Sequence, residues 1–226
     1  TAPTAIRSLM AAGHDLPSRF AMPSLKLLGS VGEPINEEAW HWYHEQVGKK
    51  RCAIVDTWWQ TETGGIMLSG LGGITPMKPA HAGLPLPGIR TILVDQQGEE
   101  LHGEAEGYLC IDFPWPSVIR TTWGDHERCR LNYFAQYPGR YFTGDGAKRD
   151  ADGFFRIIGR VDDVINVSGH RIGTAEVENA IDEHPDVVES AVVGYPHDIK
   201  GQGIYAFVIC DHVRTDKDAL RNEVIA

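Results

Sequence analysis

The sequence contains no run of apolar residues near the roughly 20 that a membrane-spanning helix requires. Its start, Thr1-Ala2-Pro3-Thr4-Ala5, lacks the basic-then-apolar pattern of a secretory signal. Cysteine is scarce: Cys52, Cys110, Cys129 and Cys210 lie far apart and form no C-x-x-C pair. That spacing argues against a disulfide framework or a zinc site and favours a reducing, cytoplasmic setting. Positive charge is also short, with 21 Lys and Arg against 31 Asp and Glu and a formal net charge of −10. Nucleic acid is therefore a poor partner, because its phosphates need a basic face. A small anionic ligand stays open, since one pocket with two arginines does not require a basic protein. Missing too are H-E-x-x-H, G-x-S-x-G, a Walker-type loop and G-x-G-x-x-G. The ten histidines thus outline no metalloprotease, and no serine-hydrolase elbow is present. There is no internal repeat and no signal of oligomeric state.

What is present reads as globular. Hydrophobic residues make up 42% and charged residues 23%, which excludes wholesale disorder. The 25 glycines and 13 prolines then belong to defined turns. Residues 24–31 form a strand-length apolar run that Gly32-Glu33-Pro34 breaks. Asn36 is a helix N-cap, with Glu37 and Glu38 in the first turn where the dipole favours negative charge. Trp40, Tyr43 and Val47 follow at helical spacing, and Cys52-Ala53-Ile54-Val55-Asp56 is a second strand. This strand–helix–strand unit predicts parallel strands with a right-handed crossover and a ligand at their carboxyl ends. Both Gly32-Glu33-Pro34 and residues 58–65 fall there.

From Gly83 to Arg160 the signals change to short strands and tight turns. Thr91–Val94, a turn at Gln96-Gln97-Gly98, residues 107–112, 141–143 and 154–158 predict an antiparallel barrel or sandwich. Residues 70–87, rich in Gly and Pro, read as a link. Beyond Val161, strands at 164–167, 187–193 and 204–210 with a helix capped by Thr174 predict a small α+β domain starting at Asp162 or Asp163. No initiator Met is present, and the last segment, Asp216–Ala226, reads as a helix without a stop signal. The chain is accordingly expected to be a fragment.

Three constellations can carry chemistry. Thr57, Thr61, Thr63, Gly64 and Gly65 can bring hydroxyls and backbone N–H groups onto a phosphate, and Glu62 can hold Mg²⁺ beside phosphate oxygens. A polar turn with two core tryptophans fits the same residues equally well. Asp145, between Gly144 and Gly146, can accept two hydrogen bonds from a ribose diol, although Gly-Asp-Gly is also an ordinary hairpin turn. Arg160 and Arg171 flank a strand-like segment and have the fork geometry of phosphate or ribose clamps, although surface arginines usually have no such role.

Together these segments resemble the adenylate-forming acyl-CoA synthetase superfamily, and within it the AMP-forming, acetate-activating branch. The resemblance runs through essentially the whole chain. It includes Thr1–Arg7, Val31-Gly32-Glu33-Pro34-Ile35-Asn36, Asp56-Thr57-Trp58-Trp59-Gln60-Thr61-Glu62-Thr63-Gly64-Gly65 and Gly124-Asp125-His126-Glu127-Arg128. It continues through Tyr141-Phe142-Thr143-Gly144-Asp145-Gly146-Ala147 and Gly159–Arg171. The double tryptophan and the Gly-Asp-His-Glu-Arg run are specific to the acetyl and short-acyl branch.

The resemblance implies a ligase that joins acetate to ATP as acetyl-AMP, releasing pyrophosphate, and then transfers the acetyl group to coenzyme A with release of AMP. Its substrates and cofactors are acetate, ATP/AMP, coenzyme A and Mg²⁺. It implies Thr61 and Glu62 as catalytic residues, with Thr61 at the α-phosphate and Glu62 on the metal. The nucleotide would meet Gly32, Glu33, Pro34, Asp56, Thr57, Trp58, Trp59, Gln60 and Thr61, with Asp145 on the ribose, Arg160 beside it and Arg171 nearby. Val31 and Trp59 would wall the acetate pocket, and Ala2, Ser168 and Gly169 would approach coenzyme A. Asp162 corresponds to the hinge about which the small domain turns. A structural magnesium is implied near Asp182, His184 and Val187, where Asp182 replaces the usual apolar residue and only its backbone carbonyl could serve.

In fold class, the resemblance implies the α/β and β-barrel portion of a large adenylate-forming domain followed by a truncated, small α+β domain. Residues 1–161 would belong to the large domain, 1–75 to its α/β sheet part and 76–161 to its barrel part, with 162–226 as the mobile domain. The loop for the β- and γ-phosphates would precede Thr1, and the adenylation lysine would follow Ala226. A propionate or other short-chain ligase is the alternative in class. For the chain by itself, a non-catalytic nucleotide-binding module is the other.

Overall fold

The computed structural model describes residues 1–13, 15–167, 170–182, 184, 186–197, 201–210 and 217–225. They form two compact units, Thr1–Ile158 and Gly159–Ala226.

The first unit opens with α1 (Pro3–Ala11), where proline sits at a position whose N–H would have no helical partner. Ala2 offers no side-chain cap. The cap comes from a distance instead, because the Thr4 N–H and hydroxyl both donate to the Glu33 carboxylate. Strand β1 (Leu27–Ser30) is shorter than the apolar run that encodes it. Helix α2 (Glu37–Trp42) starts where Asn36 Oδ1 accepts from the Ala39 N–H at 2.9 Å. Its continuation, Tyr43–Val47, widens into a π-type turn. Strand β2 (Ala53–Trp58) lies parallel to β1, with Ser30 beside Asp56, so the strand–helix–strand unit is present as read.

Strands β3 (Leu68–Ser69) and β4 (Leu84–Pro85) extend this into a four-stranded sheet of order β1-β2-β3-β4. Residues 70–87 are therefore not simply a link, because they return the chain to the same sheet. The cause is β3, whose Leu68 and Ser69 pair on one side with Trp58 and Thr57 and on the other with Pro85 and Leu84.

The barrel portion contains β5 (Thr91–Val94), β6 (Glu100–Leu101), β7 (Ala105–Ile111), helix α3 (His126–Tyr133), β8 (Tyr141–Arg149) and β9 (Phe155–Arg160). Its strands form a five-stranded sheet of order β6-β5-β7-β8-β9, and a bridge between Gly83 and Phe155 ties it to the chain just before β4. Asp125 Oδ1 accepts from the Arg128 N–H at 2.9 Å, so the Gly-Asp-His-Glu-Arg run is the start of α3. Gly144-Asp145-Gly146 is no hairpin turn: it lies within β8, where the pairing with β7 shifts register and Gly144 takes φ +73°.

Two apolar clusters hold this unit. Ile6, Leu28, Ile35, Trp40, Trp42 and Ile54 pack α1 and α2 against β1 and β2. Trp58, Leu68, Leu93, Leu109, Ile111, Trp115, Tyr141 and Phe155 join β2 and β3 to the second sheet. Each large side chain so buried contributes about 1.5–3 kcal/mol.

The second unit contains β10 (Val164–Val167), β11 (His170–Gly173), α4 (Thr174–Asp182), β12 (Val187–His197), β13 (Gly201–Cys210) and α5 (Lys217–Ile225). Its sheet order is β11-β10-β13-β12, with antiparallel pairs throughout. Ile165, Ile181 and Val192 form its core, with Val177, Val187, Ala206 and Val208 packed around them. This is the small α+β fold.

Candidate active site

The parallel pairing of β1 and β2 sets Ser30 beside Asp56 at the carboxyl ends of both strands. Both residues are buried, and neither Ser30 Oγ nor Asp56 Oδ1 meets a protein partner at good hydrogen-bonding geometry. Burial pushes the Asp56 carboxyl up to about 7, and the neighbouring Thr57 N–H and Ser30 hydroxyl pull it back only in part. Buried polar atoms short of partners carry a desolvation cost. The Thr57 hydroxyl does not join them, because it donates to the Ser30 carbonyl at 3.0 Å.

Past Asp56, alternation points Trp58 inward, and its indole Nε1–H donates to Asp145 Oδ2 at 2.9 Å. Gln60 Nε2 donates to the same oxygen at 2.9 Å and to the Thr143 carbonyl at 2.8 Å. Tyr141 in turn donates to Gln60 Oε1 at 2.9 Å. The Asp145 N–H donates to Thr143 Oγ1, which donates to the Leu109 carbonyl. The structure thus gathers Trp58, Gln60 and Asp145 at one place, although β2 and β8 are distant in sequence.

Thr61-Glu62-Thr63 forms a single 3₁₀ turn that ends at Gly64, whose φ of +67° lies in the left-handed region. A Cβ at Gly64 would also stand 2.8 Å from the Ser117 carbonyl oxygen, so only glycine fits. The Thr63 carbonyl accepts from Trp115 Nε1 at 2.8 Å and Ser117 Oγ at 2.7 Å, which anchors the turn from the barrel side. Thr63 Oγ1 is engaged with backbone only, accepting from the Gln60 N–H. Thr61 is exposed at the start of the turn, and the Glu62 carboxylate accepts from the Tyr133 hydroxyl at 2.7 Å.

The remaining sequence-derived candidates fall around this centre or in the second unit. Gly32 has φ +99° with open space at its Cβ position, and Pro34 is half-buried. The Glu33 carboxylate is directed away from a ligand role, since it caps α1 and pairs with Arg7 at 3.3 Å. Val31 is half-buried, its N–H donating to the Thr1 carbonyl, while Trp59 remains 45% exposed. Ala2 is half-buried, and its carbonyl accepts from the Ala5 and Ile6 N–H groups.

In the second unit, Arg160 Nε lies 3.4 Å from Asp162 Oδ1, and Asp162 occupies an exposed turn between β9 and β10. Arg171 lies on β11, paired with Asn166. Ser168 and Gly169, the expected coenzyme A contacts, lie outside the described residues. Asp182 ends α4 and Val187 opens β12, with His184 between them. His184 Nε2 faces Glu223 at 3.3 Å, Nδ1 accepts from the Asp186 N–H, and its carbonyl accepts from the Val187 N–H. Among the described residues no cluster of three His, Cys, Asp or Glu side chains could hold a metal. Nor is any described helix long and apolar enough to cross a membrane.

Sequence reasoning passed over Tyr133, Tyr141, Trp115 and Ser117 as site residues. For Tyr141 no local signal exists, because a register shift and the left-handed Gly144 interrupt the alternation between it and Asp145. For Tyr133, Trp115 and Ser117 no local signal exists, because their partners Glu62 and Thr63 are more than 50 residues away.

Residues 1–121 match the family described as AMP-binding enzyme, and residues 176–226 match the AMP-binding enzyme C-terminal domain. An acetyl-coenzyme A synthetase of Methylobacterium radiotolerans is 59% identical over 225 residues, covering 100% of this chain and 35% of the relative. One from Xanthobacter autotrophicus is 60% identical with the same coverage. The chain thus spans about a third of the length of these curated relatives. Among solved structures, the anthranilate CoA ligase AuaEII in complex with anthranoyl-AMP matches with a TM-score of 0.82 and 28% identity. That match covers 99% of this chain and 41% of the other.

Proposed function

Because the chain belongs to the AMP-binding enzyme family, we propose that it is the nucleotide-holding part of an AMP-forming acetate:CoA ligase. The observation that carries this reading is the Asp145 carboxylate, fixed by Trp58 and Gln60 beside the carboxyl ends of two parallel strands. Identity near 59% to acetyl-coenzyme A synthetases across the whole chain supports acetate as the acid.

In this reading Asp145 accepts from the ribose hydroxyls. Asp56, Gly32 and Pro34 line the base side, with Glu33 and Thr57 shaping that wall through the backbone contacts they hold. Thr61, exposed at the start of its turn, donates its hydroxyl to the α-phosphate. An acetate oxygen attacks the α-phosphorus as the bond to pyrophosphate breaks. The coenzyme A thiolate then attacks the acetyl carbon, and AMP leaves with its electron pair. Val31 and Trp59 bound the acyl group. Ala2, Ser168 and Gly169 serve coenzyme A, Arg160 and Arg171 the nucleotide, and Asp162 the hinge, whose exposed turn suits a dihedral change.

Glu62 suits Mg²⁺, which is bound through one or two carboxylates plus substrate phosphates rather than by an all-protein cage, and the backbone carbonyls near Asp182, His184 and Val187 are the second candidate. At Glu62 the ion would neutralise phosphate charge, and Tyr133 orients the carboxylate that holds it. Scarce, unpaired cysteine supports a cytoplasmic setting.

The test is acetate-dependent exchange of pyrophosphate into ATP by the full-length protein carrying this chain. Asp145→Ala should raise KM for ATP at least about tenfold, as expected for lost hydrogen bonds to a charged group. Absence of acetate-dependent exchange in the unaltered protein would overturn the proposal.

A further inference from the structure

The Gln60 side chain stands among residues expected to touch nucleotide, yet its amide is already committed within the protein. Both donors are used, on Asp145 Oδ2 and the Thr143 carbonyl, and its oxygen accepts from the Tyr141 hydroxyl. Two acceptor-only partners on Nε2 fix which way the amide faces, and the Tyr141 hydroxyl completes the arrangement from the opposite end. Tyr141 itself is 2% exposed, with its ring set edge-on to Trp115 and stacked on Tyr133. Its hydroxyl is therefore a rigid point. Behind Asp145, the Thr143 hydroxyl fixes the backbone but not the carboxylate. Trp58 and Gln60 both hold the carboxylate itself.

We propose that Tyr141 is a positioning residue for nucleotide selection: acting through Gln60, it sets the Asp145 carboxylate and with it the preference for a nucleotide carrying a complete ribose diol. The inference rests on the reading of Asp145 as the ribose acceptor. Its physical basis is that a group must be held close to its productive geometry by neighbours whose own rotamers are locked. Without the Tyr141 hydroxyl, Gln60 Oε1 loses its donor, the amide is freer to turn, and Asp145 Oδ2 loses part of its support. Contacts to the base and phosphates do not pass through this relay. The effect should therefore fall on ribose recognition and not on acetate.

The experiment compares kcat/KM for ATP and for 2′-deoxy-ATP in acetate-dependent pyrophosphate exchange by the full-length protein. The variants are Tyr141→Phe, which keeps the ring, and Gln60→Met, which keeps the length of a half-buried side chain. The ratio of ATP to 2′-deoxy-ATP should fall about three- to tenfold in Tyr141→Phe, the size of one net hydrogen bond. It should fall further in Gln60→Met, with KM for acetate unchanged in both. An unchanged ratio in both variants, or an equal loss with both nucleotides, would overturn the inference and leave Tyr141 a packing residue. Failure of the unaltered protein to exchange at all would instead overturn the underlying ligase reading, and the inference with it.

Discussion

Tyr133 stacks on Tyr141 with ring centroids 5.5 Å apart and planes 12° from parallel. The two hydroxyls leave that stack toward different parts of one site, Tyr133 to Glu62 and Tyr141 to Gln60. One aromatic pair, drawn from α3 and β8, thus supports both the turn after β2 and the carboxylate on β8. Removing the Tyr133 hydroxyl tests the first branch. A hydrogen bond to a charged group is worth about 1.5–3 kcal/mol. Tyr133→Phe should therefore lower kcat for pyrophosphate exchange about tenfold or more, while the ATP to 2′-deoxy-ATP ratio stays as it was. A loss confined to that ratio would contradict the division of roles between the two tyrosines.

Gly64 should tolerate no side chain. A left-handed residue other than glycine costs about 1–2 kcal/mol, and the Ser117 backbone closes the space a Cβ would need. Gly64→Ala is expected to lose at least about 2 kcal/mol in urea unfolding, on the high side for a single substitution. Gly65→Ala, where nothing lies within 4 Å, is the control and should cost far less. Equal midpoints for the two variants would refute the packing argument.

Asp56 makes stability depend on pH in an unusual direction. Its carboxyl is raised to about 7 in the folded protein from 3.8. Between those values the folded state keeps a proton that the unfolded state has released. The stability it contributes is therefore full at low pH, falls as pH rises through this window and is lost above about 7. A tenfold change in proton affinity corresponds to about 1.4 kcal/mol, so the total is on the order of a few kcal/mol. Asp56→Asn should flatten the fall in unfolding free energy between pH 4 and pH 7. A slope identical to that of the unaltered protein would exclude Asp56 as the source.

Trp59 is the proposed wall against longer acids. One methylene changes binding in a pocket by only about 1–3 kcal/mol, but an indole also excludes by bulk. In the full-length protein, Trp59→Gly should move the preference toward longer acids such as valerate, read as the ratio of kcat/KM for valerate and acetate. A ratio unmoved by the substitution would assign the wall to another residue.

The sequence by itself determined the elements that depend on neighbours in the chain. Asn36 caps a helix three residues on, the apolar run that begins at Cys52 makes a strand, and Gln96-Gln97-Gly98 makes a turn, all through contacts within a few residues. The parallel pairing of β1 and β2 followed from handedness rules that need only the order of elements. Asp145 marks the limit of that kind of reading. Locally, Gly-Asp-Gly favours a turn, but it lies inside β8, as a bulge between residues paired with β7 on either side. The tertiary structure likewise decided that Glu33 caps α1, that the Thr57 hydroxyl closes on Ser30, and that Gln60 faces Asp145. A polar side chain takes whichever partner burial brings to it, because leaving it unpaired costs more than most local preferences. Those partners lie 27 to 85 residues away along the chain. Short-range propensity therefore carries no record of them, and the packed sheets alone bring them within reach.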